Sequence, residues 1–463
     1  MKRYLIILMF LSIFAVGCDM DINYDPNNPS SSTVDLVLPA GQASLAYIYG
    51  GQFQVLGGFW SQHWTSQHGG PQYISIDAYS ISVDYFDRPW NELYAGGMND
   101  LEWVRTEAKN QENWNYYFIA TVLQCYSYQM LADLYDQIPF SEALQKVNPH
   151  FDSGQTVYDG LIQRIDEALA YDLSQSKGSV PGKDDLLFAG NMDSWVRFAN
   201  TLKLKIYLRQ VYARPEVTQA GIQQMAAQGA IFLTSDAAFT NYSTSPNQGN
   251  PFCETEFFRF GGINVGASKT VIDILLGDAR IDALFYLPSG STTHAGMLQG
   301  YGPNLQSTPL EISIEKISSV SPVYFITAAE SYFLQAEAAA RGYLGGDAAS
   351  LYNLGIAASF SRLGVTATIP TAYAYPASSD FEVNLEAIIF QKWLSMTNIQ
   401  GLEAFFEYNR THYPTILIPS VSSVLPSSQM PKRLWFPQAE VQTNPNTPTQ
   451  PAGITTKVWW DKK

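Results

Sequence analysis

Residues 53–90 carry nine aromatic side chains, Phe53, Phe59, Trp60, Trp64, Tyr73, Tyr79, Tyr85, Phe86 and Trp90. They are interleaved with Gly57, Gly58, Gly69 and Gly70 and with the amides and imidazoles of Gln62, His63, Gln67, His68 and Gln72. An ordinary core segment would be mostly Leu, Ile and Val. Flat rings beside hydrogen-bonding groups suit a sugar instead, whose ring stacks on an aromatic face while its hydroxyls meet donors and acceptors. On that chemistry Trp60, Trp64, Tyr73 and Tyr85 are the candidate stacking residues, with His63 and Gln67 as candidate hydroxyl partners. A peptide or an apolar ligand makes similar demands, and the same rings can equally plug gaps between helices. Residues 252–260 (FCETEFFRF) repeat the mixture more weakly.

Catalytic signatures fail on spacing. His63 and His68 are five apart, not the four that put two metal ligands on one helical face. Residues 178–183 (GSVPGK) fall one short of a phosphate loop and continue with Asp184, or Asp185 beyond it, where Ser or Thr is needed. Ser174 and Lys177 have the S-x-x-K spacing without its S-D-N and K-T-G companions. Asp19, Asp21 and Asp25 lack the glycine and terminal Glu of a calcium loop. No cofactor or metal is implied. A pair of carboxylates for glycoside hydrolysis is a spatial arrangement that 42 acidic residues leave open.

The chain has 463 residues, 46% hydrophobic and 15% charged, too apolar for a disordered polymer and long enough for a large core. Its formal charge of −15, without a cluster of Lys and Arg, argues against nucleic acid as partner. Lys2 and Arg3 precede an apolar run at residues 4–16, and Ala15, Val16 and Gly17 lead into Cys18. That order reads as a signal peptide over residues 1–17. The run is too short to span a bilayer. The cysteine at the cleavage point looks like a bacterial lipobox, which makes Cys18 the lipidation site, with the membrane touched through acyl chains alone. Residues 18–35, rich in Asp, Asn, Pro and Ser, form the tether, and 36–463 a single domain. Cys125 and Cys253 are far apart, and Cys125 sits in an apolar helical stretch where a free buried thiol is the commoner state.

Helical period marks residues 83–109, 113–136, 155–172, 193–213, 216–228, 322–341, 346–362 and 382–410. In 322–341 the apolar stripe is Phe325, Ala329, Phe333, Ala336 and Ala340, with Glu330, Glu337 and Arg341 on the opposite, surface side. Gly342, Gly345 and Gly346 end that helix, and Asp347 starts the next. Strand-like stretches are few: 230–233, 256–260 and 312–317. The reading is a mainly α, tetratricopeptide-like scaffold of helical pairs with irregular loop-rich segments and a few short β-hairpins.

Six motifs in order carry a family resemblance: Cys18 with Asp25-Pro26-Asn27; residues 134–144 (LYDQIPFSEAL); 195–207 (WVRFANTLKLKIY); 328–338 (AAESYFLQAEA); Gln391-Lys392-Trp393 with Glu403-Ala404, Asn409-Arg410-Thr411 and Tyr413-Pro414; and 431–437 (PKRLWFP) with Glu440 and Asn444. Together they resemble the SusD/RagB-like outer-membrane lipoproteins, in the branch described as starch-binding. Phe405, Asn409 and His412 depart from the family's pattern. The resemblance implies a non-enzymatic, cell-surface lipoprotein that binds oligosaccharide, or peptide, and delivers it to a SusC-like TonB-dependent transporter. The alternatives are a surface glycoside hydrolase and a tetratricopeptide-type lipoprotein serving outer-membrane assembly.

Overall fold

The computed structural model describes residues 32–302, 311–426 and 429–463. Residues 1–17, Cys18 and most of the tether lie outside them. The first described helix, α1 (Val34–Tyr49), begins within the stretch read as tether. It is followed by α2 (Gln52–Trp60), α3 (Asn99–Asn110), α4 (Trp114–Tyr135), α5 (Gly154–Ala170), α6 (Met192–Arg209) and α7 (Pro215–Ala227). The second half supplies α8 (Ala328–Ala340), α9 (Ala348–Arg362), α10 (Phe381–Ser395) and α11 (Gly401–Thr411). Helix pairs α3/α4, α4/α5 and α8/α9 pack against each other, as a scaffold of helical hairpins requires.

Local chemistry explains the boundaries. The side chains of Ser153, Asn191, Thr327 and Asp347 each accept from a backbone N–H of the first turn of α5, α6, α8 and α9. Gly342, at φ +72°, turns the chain out of α8. Helix α4 is apolar or aromatic on nearly every side and is buried from Asn115 to Tyr135, so it forms the axis around which the first half packs.

Among the described residues, strands are confined to four two-stranded antiparallel ladders: β1 (Trp64–Ser66) with β5 (Val265–Ala267), β2 (Gln137–Pro139) with β3 (Phe151–Ser153), β4 (Ala237–Phe239) with β8 (Val323–Ile326), and β6 (Phe285–Tyr286) with β7 (Ile314–Glu315). Four expectations are corrected here. Residues 323–326 leave the expected helix because this β-branched and aromatic run pairs with β4. Residues 254–259 form a π-helical turn rather than a strand, and 230–233 are irregular. The single helix expected over 382–410 breaks at Asn398, which adopts φ +66°. Asn tolerates that conformation, and its side chain is fixed there by Trp64 Nε1 and the Leu284 carbonyl, each at 2.7 Å.

The side of α8 expected to face solvent is interior. Glu330 and Glu337 are buried, and they join an ion network with Asp133, Glu403 and Glu407 on one sign and Lys205, Arg209, Arg341, Lys392 and Arg410 on the other. Arg209 bonds Glu403 and Glu407 at 2.5 Å each, and Arg410 bonds Glu337 at 2.6 Å and also Glu407. Burial alone would raise the carboxyls of Glu337, Glu403 and Glu407, but the facing cations hold all three below their ordinary range. Asp133 behaves oppositely. Burial pushes it up to about 6 despite Arg209, Tyr158 and Trp460. The network ties α4, α6, α8, α10 and α11 into one body. Cys125 and Cys253 are both free and buried. Among the described residues no helix is long and apolar enough to cross a membrane.

Candidate functional site

The aromatic segment does not fold as one loop. Its first part is α2, held against α11 by glycine on both sides. A Cβ at Gly57 would stand 2.1 Å from the Leu402 amide nitrogen, and one at Gly401 would stand 2.4 Å from the Gly57 carbonyl carbon. This approach of two backbones draws the side chains at the end of α2 into the interior.

Three of the predicted site residues are therefore corrected to packing positions. Trp60, His63 and Trp64 are fully buried. Trp60 leans on Phe405 with ring centres 4.9 Å apart and donates from Nε1 to the Ile76 carbonyl at 3.3 Å. Trp64 packs against Phe252 at 5.0 Å while its Nε1 bonds Asn398. His63 lies between the Ser61 hydroxyl (3.0 Å) and the Trp393 carbonyl (3.1 Å). That carbonyl can only accept, which assigns the proton to Nε2. Burial pushes the imidazole down to about 3, so it is neutral. Each polar atom of the three is spent inside the fold, and no ring face is left for a ligand. Gln67 is half-buried beside the β1/β5 ladder, away from the cleft described next.

Tyr73 and Tyr85 do come together. They line a cleft of about 420 Å³ whose walls also include Tyr47 from the end of α1, Gln52 and Val55 from α2, Gln72, Arg88 and Glu92. The opposite side is the segment read as the weaker aromatic stretch, which contributes Phe252, Thr255, Arg259 and Phe260. The π-helical turn, with one residue more per turn than an α-helix, is the element that sets Thr255 and Arg259 to the cleft.

Within the cleft Tyr73 meets Phe260 edge-on at 6.1 Å and Phe59 at 5.8 Å. Tyr85 rests on Phe86 at 5.1 Å and is half-buried. Tyr47 and Phe260 remain open, at 44% and 37% of their surface. Arg88 donates to the Tyr47 hydroxyl at 3.0 Å and pairs with Glu92 at 2.7 Å, so the rim is held by a fixed guanidinium. Arg259 makes no ion pair among the described residues, and Gln52 and Gln72 are exposed. Burial, followed by the nearby Glu256 carboxylate, raises the Tyr73 phenol, so it stays protonated and able to donate. Among the described residues, Glu92 is the one acid lining the cleft.

Sequence reasoning missed Tyr47, Gln52, Arg88, Arg259 and Phe260. The four Phe residues of 252–260, interleaved with Thr255 and Arg259, were a usable signal for the last two. Nothing local marks Tyr47, because its role depends on where α1 ends relative to a segment 200 residues on.

A helical-hairpin scaffold presenting a ring-lined cleft is the architecture of a binding protein. Residues 26–437 match the SusD-like family described as "Starch-binding associating with outer membrane". The chain belongs to that family. A comparison with curated proteins gives no match. Among solved structures, a SusD homologue from Bacteroides uniformis is 22% identical, with TM-score 0.81 over 92% of this chain and 99% of its own. A chitin-binding SusD homologue from Flavobacterium johnsoniae is 23% identical, with TM-score 0.79 over 92% of this chain and 98% of its own. A SusD-like protein from Bacteroides thetaiotaomicron is 21% identical, with TM-score 0.76 over the same shares. At these identities the likeness establishes the shared helical fold.

Proposed function

We propose that the protein captures an oligosaccharide in the Tyr47–Tyr73–Tyr85–Phe260 cleft at the cell surface and passes it to a SusC-like TonB-dependent transporter. The observation that carries this reading is the cleft itself. Open aromatic faces stand beside the Arg88 and Arg259 guanidinium groups and the Gln52, Gln72 and Thr255 side chains, the combination that a sugar ring and its hydroxyls require. Family membership and the chitin-binding neighbour support a glycan over a peptide.

Binding without hydrolysis fits the same lining. Glycoside hydrolysis in its usual form needs two carboxyl groups flanking the bond, whereas Glu92 is the single acid here and is engaged by Arg88. Lipidation at Cys18 would hold the protein on the outer membrane, facing outward, with the tether giving it reach.

Calorimetry of residues 19–463 against chito- and malto-oligosaccharides tests the ligand. The expected result is saturable binding with no release of reducing ends on prolonged incubation. Reducing ends appearing at enzymatic rates would refute the binder reading. Acyl labelling of the full chain, lost in Cys18→Ser, tests the anchor, and co-purification with a barrel transporter from solubilised membranes tests delivery.

A further inference from the structure

A second cavity, of about 220 Å³, lies on the other side of Phe252, which also walls the aromatic cleft. It opens between the start of α2, the strand β8 and the 397–399 break between α10 and α11. In a chain with 42 acids and 27 bases, none of the described residues lining it is acidic, while Arg362 and Lys316 both line it.

Neither cation is neutralised by a carboxylate among the described residues. Arg362, at the end of α9, lies over the Tyr324 ring at 5.4 Å and gives one N–H to the Ser395 carbonyl at 3.1 Å. Its Nε is buried with no hydrogen-bond partner. The carboxylate whose field reaches it, Asp236, accepts instead from the Ala328 amide at 2.8 Å. Lys316, at the mouth, donates to the Asp282 backbone carbonyl at 2.6 Å and sits 4.9 Å over the Tyr286 ring. Thr397, fully buried and also in the lining, leaves its hydroxyl without a partner.

Buried donors left unmade are costly, by about 1–3 kcal/mol each and more for charged groups. An arginine without an acid beside a buried free hydroxyl is the donor set of a site for an acceptor that arrives from outside. A carboxylate matches it, since a guanidinium binds one through parallel N–H···O bonds. The cavity falls below the roughly 300–1,000 Å³ of sites for drug-sized ligands, which limits the occupant to about one sugar ring.

We propose that this cavity is a second binding site, for a single carboxylate-bearing sugar unit of the uronic acid class. The carboxylate sits on Arg362 with Lys316 closing the mouth, and the ring hydroxyls take the Thr397 hydroxyl. The site is separate from the aromatic cleft and does not depend on what that cleft binds.

Calorimetry with glucuronate, glucose and acetate on the full mature chain tests it. Glucuronate is expected to bind, glucose not measurably, and acetate about tenfold or more weakly than glucuronate. Arg362→Gln is expected to weaken glucuronate about tenfold or more. Thr397→Val, which keeps the shape of the side chain, should weaken it by a smaller factor, and Tyr85→Ala in the aromatic cleft should leave it unchanged. Circular dichroism and thermal melting check folding, and Lys316→Met, at an exposed position, provides a second variant expected to stay folded. The proposal is overturned if glucuronate does not bind measurably, if glucose binds as well as glucuronate, or if acetate does, which would reduce the site to a simple anion hole. It is also overturned if folded Arg362→Gln and Lys316→Met both keep full affinity, or if Tyr85→Ala abolishes it.

Discussion

Replacing Trp60 and Tyr85 separately by alanine distinguishes scaffold from ligand site. Trp60 is fully buried, touches Phe405 and sits one turn from the Gly57–Gly401 contact, where the backbones of α2 and α11 leave no room to collapse into a void. Removing a buried Trp costs about 3–5 kcal/mol. With an unfolding entropy of roughly 0.9 kcal/mol per kelvin for a chain of this size, Tm should drop by about 3–6 °C. Tyr85 is half-buried at the cleft wall, so Tyr85→Ala should shift Tm by no more than about 2 °C. It should instead lose about three- to tenfold in oligosaccharide affinity, the worth of one stacking contact. Differential scanning calorimetry gives the first quantity and titration calorimetry the second. A Trp60→Ala protein with unchanged Tm but abolished glycan binding would refute the assignment, because it would mean that Trp60 turns out of the core to meet the ligand.

Arg410→Met should destabilise by about 3 kcal/mol, the low end for breaking a buried pair, because Arg341 still holds Glu337 and Arg209 still holds Glu407; urea unfolding measures it, and an unchanged midpoint would sink the idea. Asp133 gives a pH signature. Its carboxyl is raised from 3.8 to about 6 in the fold, so the folded state binds the extra proton, and this group's contribution is complete below pH 4 and lost as pH rises to 6. The loss is of order 3 kcal/mol, and Asp133→Asn should flatten that part of the stability profile between pH 4 and 6. Glu337, Glu403 and Glu407 act in the opposite sense, contributing above their unfolded pKa and failing as pH falls below it. Finally, Gly57→Ala should lower Tm even though alanine is the better helix former, because its Cβ meets the Leu402 backbone; a rise in Tm would show that α2 can shift away.

Much of the helical scaffold was legible because its signals are local. Apolar period and capping residues such as Asp347 and Gly342 act over a few neighbours, and helices α4 to α7 and α9 lie close to where the period puts them. Helix α2 was not legible. No helical period marks its glycines and rings, and what holds it in place is a contact with a segment about 340 residues away. The run 323–326 carries apolar spacing compatible with either element, and pairing with β4 decides it. The cleft was half legible. Composition identified the two segments that form it and named Tyr73 and Tyr85, but composition does not say which rings face inward. Trp60 and Trp64 looked the better platforms because they are larger, and that same area gives them the greater gain from burial.

The motifs that carry the family resemblance and the residues that line the cleft are different sets, and the ion network explains why. Lys205, Glu330, Glu337, Lys392, Glu403 and Arg410 all fall within those motifs, and all are buried partners in the network that joins five helices. A buried charge must find its opposite at bonding distance or cost several kcal/mol, so such residues fix helix spacing and register more tightly than apolar ones, which tolerate exchange at similar volume. The cleft residues, from Tyr47 to Glu92 and from Pro251 to Phe260, lie outside the motifs and carry no such constraint. A stacking face can be supplied by Tyr, Phe or Trp, and a rim donor by Arg or Gln, without disturbing the scaffold. The shared pattern therefore specifies the body that brings two distant segments together, while under the proposed function the choice of sugar would rest on side chains outside that pattern.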